Sequence, residues 1–139
     1  MCVFCDVANG ETDVSIVFED DVSLAFLDHR PLFPGHALLI PRAHYDTLTD
    51  VPDELVEPLF ANARALARAM QEGLGAAGSF VAMNNVVSQS VPHFHVHVVP
   101  RRFKDGLRGF FWPRTRYGSD EEREAVAEIL RACLRSGAE

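Results

Sequence analysis

The sequence predicts an α+β domain with an antiparallel sheet of about five strands, one long helix and a C-terminal helix. Two observations predict this class. The chain has 139 residues, of which 47% are hydrophobic, 24% charged and 9% aromatic, which is an ordinary composition for one globular domain. It also contains several short apolar runs bounded by turn residues and only two long segments of helical periodicity. The short runs favour strands, and the long segments favour helices.

Five short apolar segments are the predicted strands. They cover residues 16–18, 22–27, 36–41, 79–84 and 93–100. The acidic pair Asp20 and Asp21 separates the first two segments, which predicts a hairpin, and Pro34 and Gly35 supply a turn before the third. A polar connection joins the last two segments, so we expect them to be adjacent and antiparallel.

Two segments have helical periodicity. Apolar residues recur at helical spacing over residues 55–74, with Pro58 expected in the first turn or at a kink and glycines ending the helix. Nearer the C-terminus, Ser119 and Glu122 have the spacing of a capping box. The helix that follows has an apolar face formed by Val126, Ile129, Leu130, Cys133 and Leu134. This spacing predicts that Cys133 is a small core residue.

The charge balance and the hydropathy argue against two classes of partner. The 20 acidic residues outnumber the 13 basic ones, which gives a net charge of −7 and a pI near 5.3. Binding to a nucleic-acid backbone needs clustered positive charge, so we expect no nucleic-acid partner. No segment approaches the roughly 18 apolar residues of a membrane span, and the N-terminus lacks a signal-peptide pattern. We therefore expect a cytoplasmic protein that does not bind membranes.

Three of the six histidines are concentrated in the segment His93-Phe94-His95-Val96-His97-Val98-Val99. Side chains alternate between the two faces of a strand, so the three imidazoles share one face. A single metal ion cannot bind all three, because His93 and His97 would lie about 13 Å apart, whereas a zinc–nitrogen bond is about 2 Å long. Two neighbours could share a metal, or one ring could be a ligand beside two catalytic rings.

This segment resembles the motif of the histidine triad (HIT) family, in which three histidines alternate with apolar residues and two further apolar residues follow. Other segments resemble the family in the same order along the chain, namely Cys2-Val3-Phe4-Cys5, Asp28, Pro34 to His44, and Gln89 to Pro92. The resemblance extends over roughly residues 2–103. It implies a single HIT domain over residues 1–139, with a core at about 2–103 and a C-terminal tail and helix at 104–139.

The resemblance implies a nucleotidyl hydrolase or transferase acting on a purine nucleotide of the AMP type. His95 would attack the α-phosphate and form a covalent nucleotidyl-histidine, which water then cleaves. A neutral imidazole suits this role, because its unperturbed pKa is about 6.5 and its lone pair is free near pH 7. His97 would contact the phosphate and leaving group, and His93 and His36 would complete the catalytic group. Histidine at position 97, where transferases of the family usually carry glutamine, favours hydrolysis of a phosphoramidate or a dinucleoside polyphosphate.

The resemblance also implies the nucleoside-binding residues. Asp28 corresponds to an acid that binds the ribose hydroxyls, and a carboxylate can accept hydrogen bonds from two adjacent hydroxyls. Asn85, with Asn84 as the alternative, would lie near the ribose and phosphate. The sequence departs from the family here, since Val86-Val87-Ser88 replaces a glycine-containing loop. The other implied contacts are Phe4, Val7, Phe26, His29 and Leu38 around the base, with Gln89 and Ser90 at the phosphate or water.

Cys2 and Cys5 have a CxxC spacing, which in a reducing compartment indicates metal ligation or redox chemistry. The resemblance implies that His44 and His93 complete a tetrahedral zinc site. Such a zinc would be structural, and it would fix the ring of His93 beside the nucleophile. The family also implies a homodimer.

The segment after the triad is basic. It contains Arg101, Arg102, Lys104, Arg108, Arg114 and Arg116. These residues are either a solvated surface or a positive rim that attracts a polyphosphate or a charged leaving group. The aromatic stretch Gly109 to Pro113 could stack on a second base or cover a dimer partner.

Two other functions remain as alternatives. One is a nucleotide-binding or interaction protein with little turnover. The other is a zinc-dependent hydrolase that uses the triad histidines as metal ligands. Replacement of His95 by alanine separates them from the nucleophilic enzyme, because lost metal content would indicate ligation and lost turnover with retained AMP binding would indicate a nucleophile.

Overall fold

The predicted strands form one antiparallel sheet in the computed structural model, which describes residues 1–108 and 114–137. The strands are β1 (Ile16–Glu19), β2 (Ser23–Leu27), β3 (Ala37–Pro41), β4 (Gly78–Ala82) and β5 (Val96–Arg101). Their order in the sheet is β1-β2-β3-β5-β4, and each neighbouring pair is antiparallel. The α+β class, the β1–β2 hairpin and the β4–β5 pairing are therefore confirmed.

Three α-helices and one 3-10 turn accompany the sheet within the described residues. They are α1 (Val3–Ala8), the 3-10 turn (Leu48–Asp50), α2 (Asp53–Leu74) and α3 (Asp120–Gly137). The long predicted helix is α2, and it ends at Gly75, whose φ of 69° is in the left-handed region that glycine adopts without strain. Pro58 lies inside α2, beyond its first turn. The six residues of α1 are too few to show a helical period, and the sequence did not predict this helix.

The two faces of the sheet have separate apolar clusters. On one face, α2 contributes Leu59, Ala63 and Met70 to a core that also contains Leu39 and Val96. On the other face, the α1 residues Phe4 and Val7 pack with Phe26 and Leu38. Because α1 covers only part of this second face, it leaves room for a site beside it.

The last strand begins at Val96, later than the predicted start at His93. The backbone N–H of Phe94 donates to the Tyr45 carbonyl at 2.6 Å, so this part of the chain bonds to a loop instead of joining the β3 ladder. The predicted alternation of faces still holds. Phe94 and Val96 belong to the core under α2, whereas His97 is paired in register with Leu38 of the opposite cluster.

The chain divides into two compact units, Met1–Asp105 and Gly106–Glu139. In the second unit, Ser119 Oγ accepts the backbone N–H of Glu122 at 3.1 Å, so the predicted helix cap is confirmed. The Glu122 carboxylate accepts the N–H of Gly118 at 2.8 Å. Cys133 is exposed, and its assignment to a core was wrong, because helical spacing places a residue on a face without supplying a surface to cover it. None of the helices in the described parts of the chain is long and apolar enough to cross a bilayer.

Candidate active site and metal centre

His95 is held in one tautomer by a backbone carbonyl. Its Nδ1 lies 2.8 Å from the carbonyl oxygen of His93. A carbonyl oxygen only accepts, so Nδ1 carries a proton, and in the neutral ring the lone pair is then on Nε2. The ring is 3% exposed, and the ring of Phe4 packs against it edge-on with centroids 5.0 Å apart. His95 is thus a buried, oriented imidazole whose unprotonated nitrogen is Nε2.

His36 and His97 form a second chain of fixed tautomers. The backbone N–H of Leu32 donates to His36 Nδ1 at 3.1 Å, so the proton of the neutral His36 ring is on Nε2. That nitrogen lies 2.9 Å from His97 Nδ1, which must then accept. The proton of His97 is consequently on Nε2. His97 therefore offers a hydrogen-bond donor where His95 offers a lone pair.

Burial keeps both of these rings neutral near pH 7. Desolvation, together with the neighbouring His95 and His36, lowers the pKa of His97 to about 4, against an opposing effect of Asp28. Desolvation also lowers the pKa of His36, although the Asp28 carboxylate lies 3.7 Å from its Nε2 and opposes this shift. The hydrogen bonds agree with the lowered pKa of His97. If His97 Nδ1 were protonated, it could no longer accept the hydrogen bond that His36 Nε2 donates to it.

The pKa of His97 predicts a loss of stability in mild acid. Between pH 6.5 and about pH 4 the unfolded ring is protonated while the folded ring stays neutral, so the unfolded state binds more protons and the free energy of unfolding falls as the pH falls. The full effect of this shift is about 3 kcal/mol. Urea unfolding across this range should show a weaker pH dependence in His97→Gln, which has no titratable ring. An equal slope in both proteins would contradict the assignment.

A cavity of about 610 Å³ opens beside these histidines. Phe4, Val7, Phe26, His29 and Leu38, which the family resemblance places around the base, all line it. Asp28, Ser90, His95 and His97 line it as well. The cavity thus has an apolar wall and a polar end that includes both a carboxylate and two imidazoles. His36 lies behind this end, where it is 4% exposed.

Two of the implied nucleotide contacts lie outside this lining and make structural hydrogen bonds instead. Asn85 Oδ1 accepts the backbone N–H of Leu48 at 2.7 Å. Gln89 Nε2 donates to the carbonyl of Asp46 at 2.6 Å, and its Oε1 accepts the N–H of Val86 at 2.9 Å. Asn84 does not line the cavity either. In the loop between Asn85 and Gln89, Val86 and Ser88 adopt positive φ angles of 67° and 62°. This is the segment that replaces the glycine-containing loop of the family resemblance.

Cys2, Cys5, His44 and His93 converge at the N-terminal end of α1. Their four ligand atoms all lie within 4.8 Å of one another. Nδ1 of His93 is 3.4 Å from Cys2 Sγ and 3.6 Å from Cys5 Sγ, and Nδ1 of His44 is 3.4 Å from Cys5 Sγ. Tetrahedral zinc with ordinary bond lengths separates its sulfur and nitrogen ligands by about 3.6 Å. The four side chains therefore fit a zinc ion closely.

Outer hydrogen bonds orient both imidazoles of this cluster. Nε2 of His93 lies 2.9 Å from the Pro41 carbonyl, so it carries the proton and leaves the Nδ1 lone pair facing the thiols. Nε2 of His44 lies 2.7 Å from Asp46 Oδ1, which raises the pKa of His44 and likewise directs Nδ1 inward. Carboxylate–histidine and carbonyl–histidine pairs of this kind are typical of zinc ligands.

The pKa values of the two thiols in the cluster are shifted in opposite directions. Burial opposes ionisation of both. Hydrogen bonds from Cys5 and His44 outweigh burial and lower the pKa of Cys2, whereas burial and the neighbouring Cys2 raise the pKa of Cys5. Cys2 therefore ionises more readily than Cys5, and a bound cation would favour ionisation of both thiols.

A second group, Asp28, His36 and His97, also has three ligand atoms within 4.8 Å, but it is a hydrogen-bonded relay. Nε2 of His36 carries a proton, because Leu32 occupies its Nδ1, and a protonated nitrogen cannot bind a metal. The triad as a whole does not converge either. His93 faces the thiols, His95 bonds to a carbonyl and His97 bonds to His36. This arrangement does not support a metal held by the triad.

The first part of the basic segment is engaged in local contacts. Arg101 pairs with the Asp105 carboxylate, with Nε 2.6 Å from Oδ2, and Arg102 donates to the carbonyl of Leu74 at 2.6 Å. Neither arginine lines the cavity, so a positive rim at these two positions is not supported. The aromatic stretch at residues 109–113 lies outside the described residues.

The sequence analysis did not identify several groups that form hydrogen bonds with the histidines of the site. They are the carbonyls of His93 and Pro41, the N–H of Leu32 and the Asp46 carboxylate. Backbone groups leave no trace in a sequence. Asp46 could have been predicted from the sequence, because an acid two residues from a candidate zinc-binding histidine is a typical hydrogen-bond partner of that histidine.

Residues 9–104 match the family model described as the HIT domain. An uncharacterised HIT-like protein of Mycobacterium tuberculosis is 37% identical over 138 residues, which cover 96% of this chain and 92% of that protein. An adenosine 5′-monophosphoramidase of Saccharomyces cerevisiae is 32% identical over 129 residues, covering 93% and 80%. An adenylylsulfatase of Arabidopsis thaliana is 34% identical over 108 residues, covering 76% of this chain and 55% of that protein.

Solved structures resemble the whole fold. A crystal structure of a HIT family protein from Bacillus subtilis has a TM-score of 0.85 at 30% identity, covering 94% of this chain and 95% of that one. A zinc-bound histidine triad family protein from Mycobacterium smegmatis has a TM-score of 0.74 at 38% identity, covering 94% and 96%.

Proposed function

Since the chain belongs to the HIT domain family, we propose that it is a nucleotidyl hydrolase that cleaves the α-phosphate bond of an AMP-type substrate through a nucleotidyl-histidine at His95. The observation that carries this proposal is the Nδ1–carbonyl bond of His95. That bond fixes the nucleophilic lone pair on Nε2 of a ring that lines the cavity. Two relatives are named for hydrolysis of adenylyl compounds, a phosphoramidase and an adenylylsulfatase.

In the first step, His95 Nε2 forms a bond to the α-phosphorus while the bond from phosphorus to the leaving group breaks. The His95 ring becomes cationic, and the His93 carbonyl that accepts its Nδ1–H stabilises this charge. His97 Nε2–H donates a hydrogen bond to the atom on which negative charge develops. In the second step, water attacks phosphorus and the Nε2–P bond breaks. A leaving amine takes up one proton from solvent as it departs, and the attacking water releases one proton to solvent, so His97 keeps its Nε2–H and the cycle balances.

The remaining contacts hold the nucleoside. The Asp28 side chain is 18% exposed and lines the cavity, where its oxygens can accept from the ribose hydroxyls. Phe26 and Leu38 form a buried apolar wall for the base, and Phe4 packs edge-on against Phe26 with centroids 5.5 Å apart. Holding the phosphate against His95 in this way contributes much of the rate enhancement of such a reaction.

The charge of the cavity favours a small leaving group. None of the described residues that line it is a lysine or an arginine. Within the unit Met1–Asp105, the additional phosphates of a dinucleoside polyphosphate would meet no lysine or arginine in the cavity lining. A nucleoside phosphoramidate, which carries a single charged phosphate, therefore fits the lining better.

A turnover screen tests the proposed reaction. Adenosine 5′-phosphoramidate, adenylyl sulfate and diadenosine polyphosphates should be offered separately, with release of AMP measured. We expect the phosphoramidate to be cleaved with the highest kcat/KM. If AMP binds but none of these compounds is cleaved, the enzyme proposal is wrong and the alternative of a nucleotide-binding protein with little turnover is favoured.

We also propose that Cys2, Cys5, His44 and His93 hold a structural zinc ion. The support is the fit of the four ligand atoms, the oriented imidazoles and the resemblance to a zinc-bound family member. With four protein ligands, zinc would have no open position for substrate and would serve to fix α1 and the His93 ring.

Loss of this zinc is expected to destabilise the protein. Cys5→Ser should lower the bound zinc to well below one ion per chain and reduce the free energy of unfolding by about 2–4 kcal/mol, because α1 loses its attachment to the sheet. Elemental analysis and thermal unfolding measure the two effects. Cys133→Ser is the matched control, because that cysteine is exposed on α3 and should alter neither quantity. Full zinc content in Cys5→Ser would contradict the ligand assignment.

The homodimer implied by the family stays a prediction. β4 is the last strand in the order of the sheet, and an edge strand is the element through which a second copy would extend it. Light scattering of the full chain measures the oligomeric state.

A further inference from the structure

We propose that Asp13 selects the base of the nucleotide, favouring bases that carry an amino group on their outer edge over the corresponding deaminated bases. This inference rests on the proposed function, because it requires the phosphate to lie at His95 and His97.

The register of the sheet gives the direction of the cavity. His97 is paired with Leu38, Leu38 with Phe26, and Phe26 with Ile16, so these four residues form one row across β5, β3, β2 and β1. Residues that are directly paired point to the same face. Three strand spacings separate the ends of the row by about 14 Å. The imidazoles thus lie at one end of the row and the start of β1 at the other.

The segment of residues 12–15 closes the end of the cavity that is remote from His97. Thr12, Asp13, Val14 and Ser15 all line the cavity. The Ser15 carbonyl accepts the backbone N–H of Leu27 at 3.0 Å, which fixes the segment beside β2. Val14 packs against the apolar cluster that contains Phe26 and Leu38. Asp13, one residue before Val14, lines the same cavity.

The other contacts fix which end of a nucleotide reaches Asp13. The Asp28 carboxylate lies 3.7 Å from His36 Nε2, and His36 bonds to His97, so the ribose site is next to the phosphate site. In a nucleotide with its phosphate at His97 and its ribose at Asp28, a base that continues away from His97 along the row of paired residues lies over Phe26. The outer edge of the base then faces residues 12–15.

The chemistry of Asp13 decides what that edge should carry. An ionised carboxylate only accepts hydrogen bonds. Within the described residues, Asp13 has neither a hydrogen-bond nor an ion-pair partner, and it is an exposed residue of the cavity lining. The amino groups on C6 of adenine and C4 of cytosine donate to such a group, whereas the carbonyl oxygens at the same positions of hypoxanthine and uracil repel it. A site that binds a donor rejects a base that presents an acceptor there.

The test is the ratio of kcat/KM for adenosine and inosine 5′-phosphoramidates. We expect the full chain to prefer adenosine by about tenfold, the range of one charge-assisted hydrogen bond at an accessible site. In Asp13→Asn the preference should fall toward unity, because the amide can turn its NH₂ toward the inosine carbonyl. Asp21→Asn makes the same charge change in the β1–β2 turn, outside the cavity, and should keep the ratio of the unsubstituted protein.

The experiment separates two failures: Asp13 could have only a structural role, or the proposed hydrolase activity could be wrong. If Asp13→Asn lowers both values of kcat/KM equally and keeps their ratio, or if the unsubstituted protein does not discriminate, the inference is overturned. Calorimetric binding of AMP and IMP is measured in parallel. Tighter binding of AMP that Asp13→Asn abolishes supports the inference even if no phosphoramidate is cleaved, in which case the hydrolase proposal alone fails.

Discussion

Replacement of His95 by alanine is expected to lower kcat for adenosine 5′-phosphoramidate by about 10⁴-fold or more. The imidazole supplies the attacking lone pair, and no other ring of the triad can replace it. His93 points its free nitrogen at the thiols, and Nδ1 of His97 is occupied by His36. Hydrogen bonding alone cannot form the covalent intermediate, so the remaining rate should be that of direct attack by water.

The same variant should keep the rest of the site. AMP affinity and zinc content are expected to stay close to those of the unsubstituted protein, because the base wall, Asp28 and the four metal ligands are unchanged. A parallel loss of zinc would favour the alternative in which the triad ligates a metal. Unchanged turnover would remove His95 from the mechanism.

Replacement of His97 by alanine is expected to lower kcat by about 10²–10³-fold, the usual range for removal of one donor to a developing charge. The size of this decrease in kcat should depend on the leaving group of the substrate. An amine departs poorly and needs the Nε2–H donor, whereas a phosphate of a dinucleoside polyphosphate is already a good leaving group. The measurement is therefore kcat for both substrate types in both proteins.

An equal loss for both substrate types would indicate that His97 donates to a phosphoryl oxygen rather than to the leaving atom. No loss with either would contradict its role. His36→Ala offers a graded comparison, since it removes only the group that fixes the tautomer of His97. We expect a smaller decrease in kcat, about tenfold, together with a higher pKa of His97.

Much of the fold follows from side-chain patterns that are local in the sequence. The alternation in residues 93–99 predicts that the histidines share one face, and the register of His97 with Leu38 agrees with it. The helical period of residues 55–74 predicts α2. The start of β5 could not be predicted, because it depends on a bond from Phe94 to the distant Tyr45 carbonyl.

The site was less accessible to sequence reasoning for two physical reasons. Backbone groups such as the His93 carbonyl and the Leu32 N–H set the tautomers, and their positions depend on the tertiary fold. Side chains such as Gln89 and Asn85 have amides that bind nucleotides or loops equally well. Here both bond to loop backbone, and only the three-dimensional structure distinguishes these uses.

The most direct test of the central claim is capture of the covalent intermediate. The full chain is mixed with adenosine 5′-phosphoramidate, denatured within one turnover at alkaline pH and mapped by peptide mass spectrometry. We predict one nucleotidyl group per modified chain, attached to His95 within residues 93–97 and missing in His95→Ala. Rapid turnover without any adduct, or an adduct on a different residue, would contradict the account.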